Sequence, residues 1–162
     1  MDRYSHRHAR CKGGSVTAYH YTTVDRAHLI LRSRALLPAT ANVPHGECPA
    51  VWFSTQRTWE PTASKGLVER STGYRRTLTF PEMVKLGIAR FRVDVSILMP
   101  WRELKAACRM SDVTADALVR AGRKQGANPR DWYGYIGVFP LSNVEIVEHF
   151  GPTGWAAMEE AA

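Results

Sequence analysis

Pro49-Ala50-Val51-Trp52-Phe53-Ser54-Thr55-Gln56-Arg57-Thr58-Trp59-Glu60 is the most informative run in the chain. After Pro49 a short apolar stretch ends in two aromatics; hydroxyls follow, then a second tryptophan beside a carboxylate. A brief apolar run bounded by turn-forming and polar residues reads as a buried strand. A strand that only fills a core has no need to end in Ser-Thr-Gln-Arg. Ligand pockets, by contrast, combine flat apolar walls with a few placed polar groups. The run therefore predicts a strand over 51–54 that opens at its C-terminal end onto a polar, aromatic-walled spot. Neighbouring residues of a strand face opposite sides, so Trp52 rather than Phe53 is expected beside Ser54. Beyond it, Glu60 and Pro61 suit the first turn of a helix predicted from Thr58 to about Val68.

Residues 38–50 before this strand hold Pro38, Pro44, Gly46 and Pro49 and predict a loop. Ahead of the loop, Thr23 or Asp25 can cap a helix with Ala27, Leu29, Ile30, Leu31 and Ala35 on its apolar face, ending before Leu37-Pro38. Val16 to Thr22 predicts a first strand. Residues 1–15, a block of Arg and His closing in Lys12-Gly13-Gly14-Ser15, predict a basic, flexible arm. His6 and His8 within it are not assigned as metal ligands.

Toward the C-terminus, Ser71–Thr79 is polar and basic, and Pro81–Leu86 allows one or two helical turns. Ile88–Val95 alternates as a half-buried strand. A short helix is expected after Trp101. Another, capped by Asp112 or Thr114, is expected to bury Leu118 and Val119. Asn128–Asp131 is a turn, and Trp132–Val138 and Val144–Phe150 are the last strands, followed by a tail over 156–162. Strands and helices do not alternate strictly. The expected fold is a single α+β domain over 16–155, with mixed, mostly antiparallel sheets flanked by short helices.

The 162 residues, 44% hydrophobic and 23% charged, suffice for one domain with a real core. No apolar run reaches membrane-spanning length, so no membrane partner is expected. The basic start Met1-Asp2-Arg3-Tyr4-Ser5-His6-Arg7-His8 lacks an apolar stretch, so no secretory signal is expected. Cys11, Cys48 and Cys108 are widely spaced without a Cys-x-x-Cys pair. That fits a reducing cytoplasm and gives no disulfide framework, structural zinc site or other metal. The net charge of +7 favours an anionic partner, nucleic acid or nucleotide, although cations spread this widely also suit a solvated surface.

Four groups of residues carry chemical content. His20, in His20-Tyr21-Thr22, is either an imidazole bonded at a strand edge or a donor to a sugar hydroxyl or phosphate, with Thr22 as a second contact. Trp52 and Ser54 share a face. Trp59 and Glu60 open the predicted helix, as a packed ring and a carboxylate favoured by the helix dipole. Glu145 and Glu148 lie on the last strand, on opposite faces.

In this order, the groups resemble the ADP-ribosyltransferase superfamily, on its poly(ADP-ribose) polymerase and diphtheria-toxin side. Those enzymes carry His-x-Thr/Ser on the first strand, Tyr-Phe-Ala/Ser on a later strand before a helix, and a Glu on a strand near the end. The matches are His20 and Thr22, then Trp52, Phe53 and Ser54, then Glu145. The stretch from Leu29 to Pro38 is similar to the helix and turn of DNA-modifying and RNA 2'-phosphotransferase relatives. The resemblance covers residues 17–64 and 132–150. It departs from the family where Trp52 replaces Tyr, and where Ala63 stands in place of the second aromatic of the nicotinamide sandwich.

The resemblance implies NAD as a substrate and transfer of ADP-ribose to a protein or nucleic-acid acceptor, as in a bacterial or phage toxin or anti-defence factor. It implies that His20 holds the nicotinamide ribose, that the Tyr21 backbone meets the carboxamide, and that Trp52 stacks on the ring. Thr22, Ser54 and Trp59 complete the NAD contacts. Glu145 would stabilise the developing cation, with Glu148 and Glu60 as the other candidate carboxylates. The alternatives are a non-catalytic nucleic-acid- or protein-binding domain, and an RNA 2'-phosphotransferase or ribonuclease-like enzyme.

Overall fold

The computed structural model describes residues 16–158. The expected arm over 1–15, with His6, His8 and Cys11, lies outside them. Thr17–Thr23 forms strand β1, and the Thr23 hydroxyl accepts from the Arg26 amide to cap helix α1 (Val24–Ser33). A two-residue strand β2 (Ala35–Leu36) precedes the proline-bearing loop, which delivers the chain to β3 (Ala50–Ser54).

The helix expected over 58–68 is absent. A single 3-10 turn (Pro61–Ala63) is followed by a hairpin, β4 (Gly66–Val68) and β5 (Arg75–Thr77). Glu60 folds back to accept from the Thr62 amide, and the chain is already extended at Ser64. Gly66 and the β-branched Val68 then disfavour helix propagation.

Thr79 and Glu82 form a capping box that starts α2 (Phe80–Lys85). The long strand β6 (Ile88–Asp94) follows, then β7 (Met99–Pro100), α3 (Trp101–Ala107) and α4 (Asp112–Lys124). Ser111, rather than Asp112 or Thr114, caps α4. The residues that α4 buries are Ala115 and Gly122, while Leu118 is exposed and Val119 half-buried. A face of small residues brings this helix close to the sheet, and Leu118 falls to its edge. Strands β8 (Trp132–Ile136), β9 (Phe139–Pro140), β10 (Val144–Gly151) and β11 (Gly154–Ala157) complete the fold. The last of these, unexpected from the sequence, runs past the anticipated domain end at residue 155.

The main sheet has the order β11-β10-β6-β1-β3-β8-β7; β2 pairs with β9 and β4 with β5. All pairings among the described residues are antiparallel, so the chain is an α+β fold built on antiparallel sheet. Among the described residues no helix is long and apolar enough to cross a membrane. One face of the sheet buries Ala18, Val51, Phe53, Phe91 and Phe139. The other buries Tyr19, Tyr21, Trp59 and Ile88, with Met83 of α2 packed on them.

One irregularity of this sheet positions the functional site. Strand β1 is paired with β6 along its whole length, from Thr17↔Asp94 to Thr23↔Ile88, and β3 is paired throughout with β8. Between β1 and β3 only Tyr19↔Ser54 is in register. The sheet therefore consists of two well-laddered halves joined at one point.

Candidate functional site

A cleft of about 550 Å³ lies where these halves part. His20 and Tyr21 of β1 and Trp52 and Ser54 of β3 line it, with Glu60 and Lys65 from the connection after β3. Trp132 of β8, Leu118 and Ala121 of α4, and Gln125 at its C-terminal cap close the far wall.

His20 bridges the gap in the ladder. Its ring packs against Phe53 and Phe91, with centroids 5.8 and 6.2 Å away, and Nδ1 lies 2.8 Å from the Trp52 carbonyl oxygen. A carbonyl only accepts, so Nδ1 carries the hydrogen and Nε2 of the neutral ring is an acceptor. Nε2 has no hydrogen-bond partner among the described residues, and His20 is one of the residues that line the cleft.

Desolvation by burial holds the His20 pKa below its ordinary value near 6.5, against the opposing bond to Trp52; Lys65 lowers it further. Since the folded value lies below the unfolded one, the neutral ring is the state that folding favours. The full stabilisation stands above the unfolded pKa and is lost as the pH falls from there through the folded value. The urea midpoint is accordingly expected to drop as the pH is lowered below about 6.5, and to drop less in His20→Asn, whose side chain does not titrate.

Glu60 is buried and forms no ion pair among the described residues. Oε2 accepts from the Ser54 hydroxyl at 2.7 Å. Oε1 accepts from the Thr62 hydroxyl at 2.8 Å, the Thr62 amide at 3.3 Å and Trp132 Nε1 at 3.2 Å. A carboxylate stays buried only when its charge is met by hydrogen bonds or partners. Here neutral donors meet it, leaving the negative charge uncancelled. Oε2, with a single donor, keeps acceptor capacity for a ligand hydroxyl.

The loop carrying Glu60 is clamped at three successive carbonyls. Tyr21 Oη donates to that of Gln56, Arg90 Nη1 to that of Arg57, and Trp155 Nε1 to that of Thr58 at 3.1 Å. Asp131 adds a fourth anchor, receiving the Gln56 amide side chain at 2.6 Å and the Thr55 hydroxyl at 3.3 Å. Burial pushes the Tyr21 phenol far above its ordinary pKa, so it remains a donor across the physiological range.

Trp52 is half-buried in an aromatic cluster with Trp101 (5.9 Å between centroids) and Trp132 (6.5 Å, edge-to-face). Trp132 in turn leaves no room on α4. A Cβ at Gly122 would lie 2.4 and 2.5 Å from its ring carbons. Gly122→Ala is expected to destabilise the fold by about 2 kcal/mol, as overpacking of a rigid ring does. It should also loosen the Trp132–Glu60 bond, and chemical denaturation read alongside Trp fluorescence checks both effects.

No protein-family model, curated protein or solved structure matches this chain. The functional reading rests on the cleft itself.

Five of the residues singled out in the sequence meet there: His20, Tyr21, Trp52, Ser54 and Glu60. Three do not line it. Thr22 is buried on β1, and Trp59 packs against Tyr21 and Phe80 while Nε1 donates to Ser64 at 3.1 Å. Glu145 is exposed, paired with Arg92 at 3.0 Å, and borders a different depression between α1 and β10. Strands β6 and β1 stand between β10 and the split.

A register shift in β10 between Val144 and Ile146 changes the alternation expected there. Glu145 and Glu148 pair with Arg92 and Arg90 of β6. The cleft residues not foreseen include Trp132, Lys65 and those of α4. The run Trp59-Glu60-Pro61-Thr62-Ala63-Ser64-Lys65 held the signal for Lys65, because a hydroxyl two residues past a carboxylate can fold it into a local turn.

Proposed function

We propose that the chain is an NAD-dependent mono-ADP-ribosyltransferase on an ADP-ribosyltransferase-like fold, with this cleft as its NAD site. The observation that carries the reading is the convergence of His20, Tyr21, Trp52, Ser54 and Glu60 on one cleft at the split of the sheet. His20 Nε2 accepts from a hydroxyl of the nicotinamide ribose. The β1 backbone beyond Tyr19, left without a β3 partner, takes the carboxamide, and Trp52 provides the aromatic wall.

The carboxylate role passes from Glu145 to Glu60. The C1'–N1 bond breaks, nicotinamide leaves with the electron pair, and positive charge grows on the ribose. An uncancelled buried carboxylate favours that transition state over the ground state. The acceptor nucleophile then bonds to C1' and gives up its proton.

The test is incubation of the purified chain with labelled NAD and protein, DNA or RNA acceptors. Nicotinamide release with transfer of label is expected; a folded protein that yields neither sinks the reading. A second reading, a nucleotide-binding domain without transfer, is favoured by the four donors already engaging Glu60. It predicts NAD binding that Glu60→Gln leaves intact, with no nicotinamide released.

A further inference from the structure

The β4–β5 hairpin leaves the rim of the cleft and pairs with no other strand. Lys65 and Gly66 at its root line the cleft, and all its strand residues are exposed. Two-stranded hairpins are marginal alone and usually need a third partner. This one exposes Leu67, Val68 and Tyr74, the last at 63%.

Part of its charge is equally unspent. Arg76 is paired with Glu82 at 2.6 Å, and the Glu69 carboxylate is taken by the Thr72 hydroxyl. Lys65, Arg70 and Arg75 have no ion pair among the described residues. Partial desolvation, and then the Arg26 charge, hold Lys65 below the ordinary lysine pKa. On the opposite lip, Arg123 and Lys124 of α4 stand between the cleft-lining Gly122 and Gln125 and also have no ion pair among the described residues.

We infer that this hairpin is the acceptor-docking surface and that the acceptor is a single-stranded nucleic acid. The inference rests on the transferase reading, to which it adds the acceptor. Unpaired cations interleaved with an exposed aromatic ring are what single strands use, phosphates tracking the charge while bases stack on the ring. Two basic lips around a cleft of about 550 Å³ admit one splayed nucleotide, whereas a base within a duplex must first leave its stack. An acidic protein would satisfy the cations but gives the flat, exposed Tyr74 no particular task.

The experiment is fluorescence anisotropy of labelled oligo(dT) and oligo(rU) across a salt series, without NAD, beside a blunt duplex and a poly-glutamate peptide. Single strands should bind best, and the two oligonucleotide arms tell DNA from RNA. Tyr74→Ala should weaken binding about tenfold at unchanged salt dependence, because each stacked base is lost at fixed charge. Arg75→Gln should lower the slope of log affinity against log salt by roughly one contact's worth, near 0.7. Circular dichroism should find both variants folded, since both side chains are exposed.

Equal binding of duplex or poly-glutamate, no binding at all, or indifference to both substitutions overturns the inference. Nicotinamide release is assayed separately. A chain that releases nicotinamide but ignores single strands loses this surface, and one that binds strands without releasing nicotinamide keeps it while losing the transferase.

Discussion

Glu60→Gln is expected to lower nicotinamide release from NAD a hundredfold or more, about 3 kcal/mol of transition-state stabilisation, while the fold survives. The substitution is nearly isosteric and fits the local bonds. The Gln oxygen can stand at the Oε1 position and accept from Thr62 and Trp132. The new amide at the Oε2 position can donate to Ser54 Oγ, which already accepts from the Gln56 amide at 3.2 Å and has a second lone pair. What disappears is the negative charge. The loss should therefore fall on kcat, with NAD affinity little changed, because the charge matters only once the ribose becomes cationic. Glu145→Gln is the control: its carboxylate serves an exposed pair with Arg92, and such pairs contribute little. The opposite pattern, with Glu145→Gln inactive and Glu60→Gln active, would return the role to the late strand.

Why the sequence pointed to one carboxylate and the fold to another has a physical explanation. Strand β3 was legible because an apolar run with a polar end is a local signal, and so was the pairing of Trp52 with Ser54 on one face. His20 and the Thr23 cap were legible for the same reason. The split of the sheet was not. It depends on where two distant strands stop sharing hydrogen bonds, which no window of sequence contains.

The helix expected over 58–68 failed because Glu60 serves the cleft and a local turn instead of a helix dipole. Leu118 misled in a similar way. Helical spacing marks an apolar residue as buried, but the tight approach of α4 at Gly122 leaves Leu118 on the rim. The register shift in β10 interrupts the alternation at Glu145, and one added residue in a strand leaves no reliable trace in the sequence.

Arg90→Met should cost about 3–5 kcal/mol of stability, since it removes one partner of a buried ion pair and strands the other. Arg90 Nε donates to Glu148 at 2.7 Å, with both side chains close to fully enclosed. The guanidinium lies between Tyr19 and Trp155, 4.1 and 4.3 Å from the ring centroids, and Nη1 holds the Arg57 carbonyl. Methionine fills much of the space but gives Glu148 nothing. Restoring neutrality with Arg90→Met/Glu148→Leu should recover most of the stability, because a buried pair replaced by apolar residues of similar size is often neutral or better.

Activity separates the two roles of Arg90. The double variant still lacks the donor to the Arg57 carbonyl, midway in the triple clamp that positions Glu60. It should melt near the parent while nicotinamide release stays depressed, since small displacements of a catalytic group cost rate steeply. Full recovery of both would make Arg90 only a partner for Glu148. Recovery of stability alone places the buried arginine in the chain of contacts that runs from the far edge of the sheet, through the clamped loop, to the carboxylate in the cleft.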